Sequence, residues 1–473
     1  MVIRMKHVRI FSVAFMLAAA FASGSSAQRH SHDSRIYFDY GEPMMSSVIQ
    51  SADGRSVDVR ITTANSMFSF LRAKKAKNGA YYAVRDVTIE IQEHGEGLPV
   101  ISRNKMDTLY ANSFEESTSK ETWHAMAESL PLPVLDSGKR YTVRIDVRDD
   151  IDHLSARPVE VDLRSIQNAH PKYITGGEGS VSIGDIWLAD SLIGNSAYAS
   201  ARGNTYMFSR NMVGTVAFRI GDTLVGEPDV QVSVRQLSNL VNPSDTGDRY
   251  HATLDISDMH RRAAFGISSA DSILKYELRP DSDAELWTAI FNVPGEKFEQ
   301  GKYQVTVRVR SGNVDHTQKA DFMLVWQGMP LSLEDPRDAI EPLKHILSPD
   351  QVSAINSGST QEMTQKLYAY WRTQDPTPST AYNERMATFY KRVDYADFNY
   401  ATGHVLDGVM TDRGKIYLLY GPPTNVDRTF LPGEAPVETW TYTNNVKRIF
   451  RFEELNGHGE YKLTNVKELA AKN

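Results

Sequence analysis

Apolar and polar residues alternate with a period of two through much of the first two thirds of this chain. Val57-Asp58-Val59-Arg60-Ile61-Thr62, Val87-Thr88-Ile89-Glu90-Ile91-Gln92 and Tyr141-Thr142-Val143-Arg144-Ile145-Asp146-Val147-Arg148 each send every second side chain to one face. That pattern predicts strands with one face in a core and one in water, and their β-branched content agrees. Turn clusters at Ala52-Asp53-Gly54 and His94-Gly95-Glu96-Gly97 separate them. The same texture returns in Val230–Arg235 and Val305–Arg310.

A repeat underlies this return. Glu121-Thr122-Trp123-His124-Ala125-Met126 resembles Glu285-Leu286-Trp287-Thr288-Ala289-Ile290. Gly138-Lys139-Arg140-Tyr141 follows in one copy and Gly301-Lys302-Tyr303 in the other, and each runs into a long alternating strand. The expectation is two sandwich-like modules, residues 35–167 and 180–327, with Trp123 and Trp287 as equivalent core residues. Residues 168–179, with Pro171 and Gly176-Gly177-Glu178-Gly179, read as the linker, since these glycines lack the spacing of a phosphate loop.

Past residue 327 the period lengthens. Ile340, Leu343, Ile346 and Leu347 recur at helical spacing. Ser348-Pro349-Asp350-Gln351 and Ser359-Thr360-Gln361-Glu362 are capping boxes, the second opening a helix striped by Met363, Leu367, Tyr368 and Trp371. Pro376 and Pro378 break the pattern before a helix over about 381–400. Strands are expected at Lys415–Tyr420, Val437–Tyr442, Arg448–Glu453 and Glu460–Thr464, with turns at Asn444-Asn445 and Asn456-Gly457. The fold class expected is mixed: two tandem all-β sandwich-like modules, then an α+β C-terminal domain over 328–473, helices first and an antiparallel meander after.

Several C-terminal stretches carry a resemblance. Tyr370-Trp371-Arg372-Thr373-Gln374-Asp375-Pro376-Thr377-Pro378, Asn383-Glu384 and Phe389-Tyr390-Lys391-Arg392-Val393 precede Gly408-Val409-Met410-Thr411-Asp412. Arg413-Gly414-Lys415-Ile416-Tyr417-Leu418-Leu419-Tyr420-Gly421-Pro422-Pro423 and Glu438-Thr439-Trp440-Thr441-Tyr442 follow. Together these resemble the GWxTD domain over roughly 333–466, with Val409 standing where that family has tryptophan. The resemblance implies an exported bacterial protein with β-rich segments ahead of the domain, and implies no reaction.

The candidate chemistry gathers here. Thr411 and Asp412, between Gly408 and Gly414, suit a hydrogen-bonded turn. Arg413 offers a five-donor fork for Asp412, Glu438 or Asp375. One reading is a structural lock of turn, ion pair and strand. The other is a polar pocket in which Asp412 and Arg413 face Arg372, Asp375, Asn383, Glu384 and Arg392, with Glu438 and Trp440 nearby.

Composition narrows the function. Arg4, Lys6 and Arg9 precede an apolar stretch from Ile10 to Phe21 and the small residues Ala22–Ala27. A signal peptide over 1–27, cleaved near Ala27, is expected, followed by a flexible tail over 28–34. No later stretch is long and apolar enough to span a bilayer, so no transmembrane segment is expected in the mature chain. Cysteine is absent, which removes a lipobox, disulfides and thiolate metal sites. The net charge of −7 argues against nucleic acid as a partner. Asp149-Asp150-Ile151-Asp152 and Asp281-Ser282-Asp283 lack the glycine and terminal glutamate of an EF-hand and read as turns. No G-x-S-x-G elbow or H-E-x-x-H helix occurs. No metal or cofactor is expected. The expectation is a non-enzymatic binding or scaffold protein with an envelope protein partner. The alternative is an envelope-polymer hydrolase using Asp412, Glu438 and Glu384, two of which would have to face each other across an open cleft at roughly 5–10 Å.

Overall fold

The computed structural model describes residues 44–468 except 51–55, 74–78, 94–97, 120–121, 133–140, 151–153, 156–158, 164–180, 200–203, 221–226, 240, 269–274, 313, 327, 445, 456 and 458. The expected leader, tail and inter-module linker lie outside the described residues.

The principal strands of the first module are β1 (Met44–Gln50), β2 (Ser56–Ala64), β3 (Tyr81–Glu93), β4 (Pro99–Ala111), β5 (Trp123–Pro131), β6 (Tyr141–Asp149) and β7 (Val159–Leu163). They form one sheet ordered β1-β2-β5 and a second ordered β4-β3-β6-β7. The alternation seen in sequence fills the space between them: Val57, Val59 and Ile61 of one sheet meet Val87, Ile89, Val143 and Ile145 of the other. The second module uses β8 (Val181–Ala189), β9 (Met212–Ile220), β10 (Asp229–Asn239), β11 (Gly247–Thr253), β12 (Leu286–Val293), β13 (Gly301–Ser311) and β14 (Val314–Val325). Its sheets run β8-β9-β12 and β11-β10-β13-β14. Strand for strand this is the pairing of the first module, as a duplication requires. Ile89 sits opposite Ile145 in one copy and Val232 opposite Val307 in the other.

Two features depart from the sequence reading. Trp123 and Trp287, at the starts of β5 and β12, are both half-buried; Trp287 packs against the core of its module, whereas Trp123 lies outside the core cluster of the first. The second module also carries an added sheet, in the order Ser191–Ile193, Ser196–Tyr198, Lys275–Pro280, Ala263–Ser268. The first module packs on this addition and on β8: Ile49, Ala125 and Ala127 meet Ala197, Ala199 and Tyr276, together with Trp187 of β8.

The C-terminal domain begins with α1 (Pro336–Ile340), α2 (Pro349–Ile355), α3 (Thr360–Thr373) and α4 (Glu384–Tyr400). Both expected capping boxes form, Ser348 with Gln351 and Ser359 with Glu362. The next element corrects the sequence reading. Lys415–Tyr420 is not a strand but most of a helix, α5 (Asp412–Tyr420). Leu418 packs into the helical core, whereas Ile416 and Tyr417 pack on the meander. A helix buried on both sides shows a continuous apolar run, and over so few residues its period cannot be told from a buried strand. The first strand of the meander is instead β15 (Asn425–Thr429), followed by β16 (Val437–Tyr442), β17 (Arg448–Glu454) and β18 (Tyr461–Glu468), paired in that order. Among the described residues no helix is long and apolar enough to cross a membrane.

Candidate functional site

The signature turns out to be the start of α5. Thr411 is the N-cap: its hydroxyl accepts from the Gly414 N–H at 3.0 Å and donates to the Gly408 carbonyl at 2.7 Å. Asp412 opens the helix, where the macrodipole favours a carboxylate, and its side chain accepts the Leu463 N–H of β18 at 2.8 Å. The helix is thereby tied to the sheet. Residues 408–410 form a 3-10 turn against α4, and the Asp397 carboxylate accepts the Val409 N–H. The two flanking glycines are there for space. A Cβ on Gly408 would lie 2.1 Å from the Ala396 carbonyl oxygen, and one on Gly414 would lie 2.0 Å from the Gly408 carbonyl oxygen. At Gly421, which ends α5, φ is +78°, a backbone conformation that glycine adopts without strain.

Arg413 takes Glu438, with neither Asp412 nor Asp375 bonded to it. Its Nη1 reaches Glu438 at 3.5 Å and its Nη2 donates to the Gly459 carbonyl at 3.2 Å. The guanidinium lies 4.2 Å from the Tyr461 ring centre and 5.2 Å from that of Tyr400. Glu438 is 3% exposed. It also accepts from Arg428 Nε at 3.0 Å and from Trp440 Nε1 at 2.5 Å. Burial pushes the Tyr400 hydroxyl far above its usual range, so that phenol stays protonated. Arg428, Tyr400 and Tyr461 were missed in sequence. Arg428 sits directly opposite Glu438 across the β15–β16 pair, a charge match visible only once Asn425–Thr429 is known to be a strand.

The remaining candidates lie elsewhere. Arg392 donates to the Leu418 and Leu419 carbonyls at the other end of α5. Arg372, Asp375 and Asn383 line a cavity of about 240 Å³ at the seam with the second module, opposite Phe208, Glu299 and Trp326. Arg372 reaches across to Glu299 at 2.8 Å. Asn383 caps α4 and donates to the Trp371 carbonyl. Asp375 accepts the Thr377 N–H, and Glu384 accepts the Thr377 hydroxyl. The candidate set is thus split between a closed cluster at α5 and an open seam. Among the hydrolase candidates, Glu438 is closed off by two arginines and a tryptophan, Asp412 holds a backbone amide, and Glu384 holds the Thr377 hydroxyl in an exposed contact.

Fold and cluster together define an α+β domain of helices and a four-stranded meander, locked at a glycine-rich helix start and appended to tandem β-sandwiches. The sequence profile of the GWxTD domain matches residues 308–472, and the C-terminal region is a GWxTD domain. Val409, in the tryptophan position, is buried in the helical core, so the position fills space here. No curated protein matches the chain. A family 123 glycoside hydrolase from Clostridium perfringens is similar at 11% identity and a TM-score of 0.15, over 37% of this chain and 31% of that one. This chain therefore spans about a third of that enzyme's length. The C-terminal domain of the Streptococcus pyogenes antigen I/II-family protein AspA is similar at 10% identity and a TM-score of 0.16, over 60% of this chain and 99% of that one. Likeness this distant carries no argument about activity.

Proposed function

We propose that this is an exported envelope protein that binds or scaffolds a protein partner without catalysing a reaction, and that the partner docks at the seam between the second module and the GWxTD domain. One observation carries the reading. The polar groups of the signature are spent on the fold, whereas the seam cavity combines an aromatic wall with charged groups at its mouth. The Lys297 ammonium there has no hydrogen-bond or ion-pair partner among the described residues, and Asp375 uses one oxygen on its own turn. Aromatic anchors ringed by polar groups are how protein surfaces hold partners.

Export rests on the N-terminal pattern. The mature chain from a cell-envelope fraction is expected to begin at Gln28 by intact mass, and a mass that retains residues 1–27 would sink the leader. Docking is tested by in-cell crosslinking of the wild type, Trp326→Ala and Asp412→Asn, each checked by thermal melt. The expected result is a defined crosslink lost in a still-folded Trp326→Ala protein. A crosslink that survives in Trp326→Ala moves the partner away from the seam.

A further inference from the structure

Arg60 lies mid-strand in β2, on the face turned away from its module's core. It is 1% exposed, covered by the added sheet of the second module. Its guanidinium carbon sits 4.5 Å from the ring centre of Tyr276 and 5.2 Å from that of Trp187, and Nε donates to the Tyr276 hydroxyl. Trp187 and Tyr276 are 4.6 Å apart, and Phe265 meets Trp187 edge-on at 5.0 Å. Three rings of the second module thus form a shelf beneath a cation brought by the first, the arrangement that ring quadrupoles favour.

The fit is incomplete in one respect. Nη1 and Nη2 of Arg60 are enclosed and have no hydrogen-bond partner among the described residues. Burying guanidinium donors without acceptors disfavours the closed state. Apart from Trp187 and Tyr276 themselves, with Ile49, Leu192 and Phe265 at the edge, little apolar surface opposes that cost. Of the buried residues in this contact, Ala127, Ala189, Ala197 and Ala199 are alanines, where both module cores are built of valine, isoleucine and phenylalanine. A specific cation site is therefore closed by a thin, poorly satisfied contact.

We propose that the Trp187–Tyr276 shelf is a binding site for guanidinium groups that this chain fills with its own Arg60, so that the first module is a removable cover over an arginine-recognition surface. The ligand class is an arginine side chain of a peptide or protein that carries its own acceptors for the two nitrogens Arg60 leaves unpaired. The site is separate from the seam and does not depend on it.

The test uses the full mature chain carrying Arg60→Ala. The probe is N-acetyl-argininamide, followed by tryptophan fluorescence, with the radius of gyration measured by X-ray scattering. The variant is expected to bind the probe, and the wild type to bind it roughly tenfold more weakly because Arg60 competes; in both, saturating probe is expected to raise the radius of gyration, since a bound arginine holds the cover open. Adding Trp187→Ala should remove binding, and N-acetyl-lysinamide should bind more weakly than the arginine probe, since a compact ammonium lacks the planar stack. A folded Arg60→Ala protein that ignores the probe, or one that binds it equally well without Trp187, overturns the site. A radius of gyration that saturating probe leaves unchanged in both proteins overturns the removable cover. If alanine prevents folding, Arg60→Gln, which can keep the bond to Tyr276, takes its place under the same readouts.

Discussion

Glu438 shows how much of the C-terminal domain hangs on single side chains. Its carboxylate is shared by Arg413, Arg428 and Trp440 while being almost fully enclosed. Removing its charge leaves the Arg413 guanidinium, itself only 12% exposed, without its counter-ion. Glu438→Gln is expected to lower the stability of the domain by about 2–4 kcal/mol in urea unfolding. Glu384→Gln, in an exposed contact with Thr377, should stay within about 0.5 kcal/mol of wild type. Histidines add a pH dependence. Desolvation holds the proton affinity of His345 below its ordinary value, outweighing the help of the Val409 carbonyl beside it, and burial does the same to His124 and His316. The unfolded chain therefore binds protons that the folded one resists. Stability should fall as pH drops from 7 through the ordinary histidine range. His345→Gln should flatten the part of that slope belonging to the C-terminal domain, measured as melting temperature against pH.

At the scale of elements, α5 is the informative case. If Thr411 caps a helix, Thr411→Ala should cost about 1 kcal/mol and Thr411→Ser or Thr411→Asp little. Thr411→Val would be the mild change if the segment were a strand, so the ranking of four melts separates the two. Gly414→Ala should cost about 2 kcal/mol or more, because its new methyl meets backbone rather than a movable side chain. The sequence made most of this domain legible. Ser348 and Ser359 begin helices where capping chemistry places them, and the long alternating runs of both modules became strands. What stayed hidden was set by tertiary surroundings. Helix α5 is apolar on two sides because two layers enclose it, and β15 is wholly exposed and, but for Val426, polar, without any alternation. The polar residues of the signature region were read as one possible site, yet the fold sends Arg372, Asp375 and Asn383 to the seam and keeps Asp412 and Arg413 at α5.

Across the whole molecule, a pairing pattern used twice is joined to a domain of different character. The second copy differs by its added sheet, and that addition is the surface on which the first copy rests. Several bonds bridge the second module and the C-terminal domain: Arg372 to Glu299, Gln365 to Asn242, and the Ala381 N–H to the Glu296 carbonyl. Removing one of them, as in Arg372→Ala, should lower the melting temperature of the less stable part by a little and so begin to split a calorimetric transition that the two parts otherwise share. A single transition unmoved by Arg372→Ala would mean that the salt bridge does not couple the two parts.

The reach of the family match has a practical consequence for anyone handling this domain in isolation. Residue 308 lies inside β13, so a fragment cut at the family boundary keeps the last residues of that strand and all of β14 while discarding β10, the neighbour to which β13 is bonded. Such a piece presents a ragged two-stranded ribbon whose apolar residues, Val309, Phe322 and Leu324, have lost the opposite wall of their sandwich. It should come out of expression sticky and prone to pairing edge to edge with its own copies. What a profile delimits as one domain is, in covalent terms, half of its neighbour's last hairpin as well.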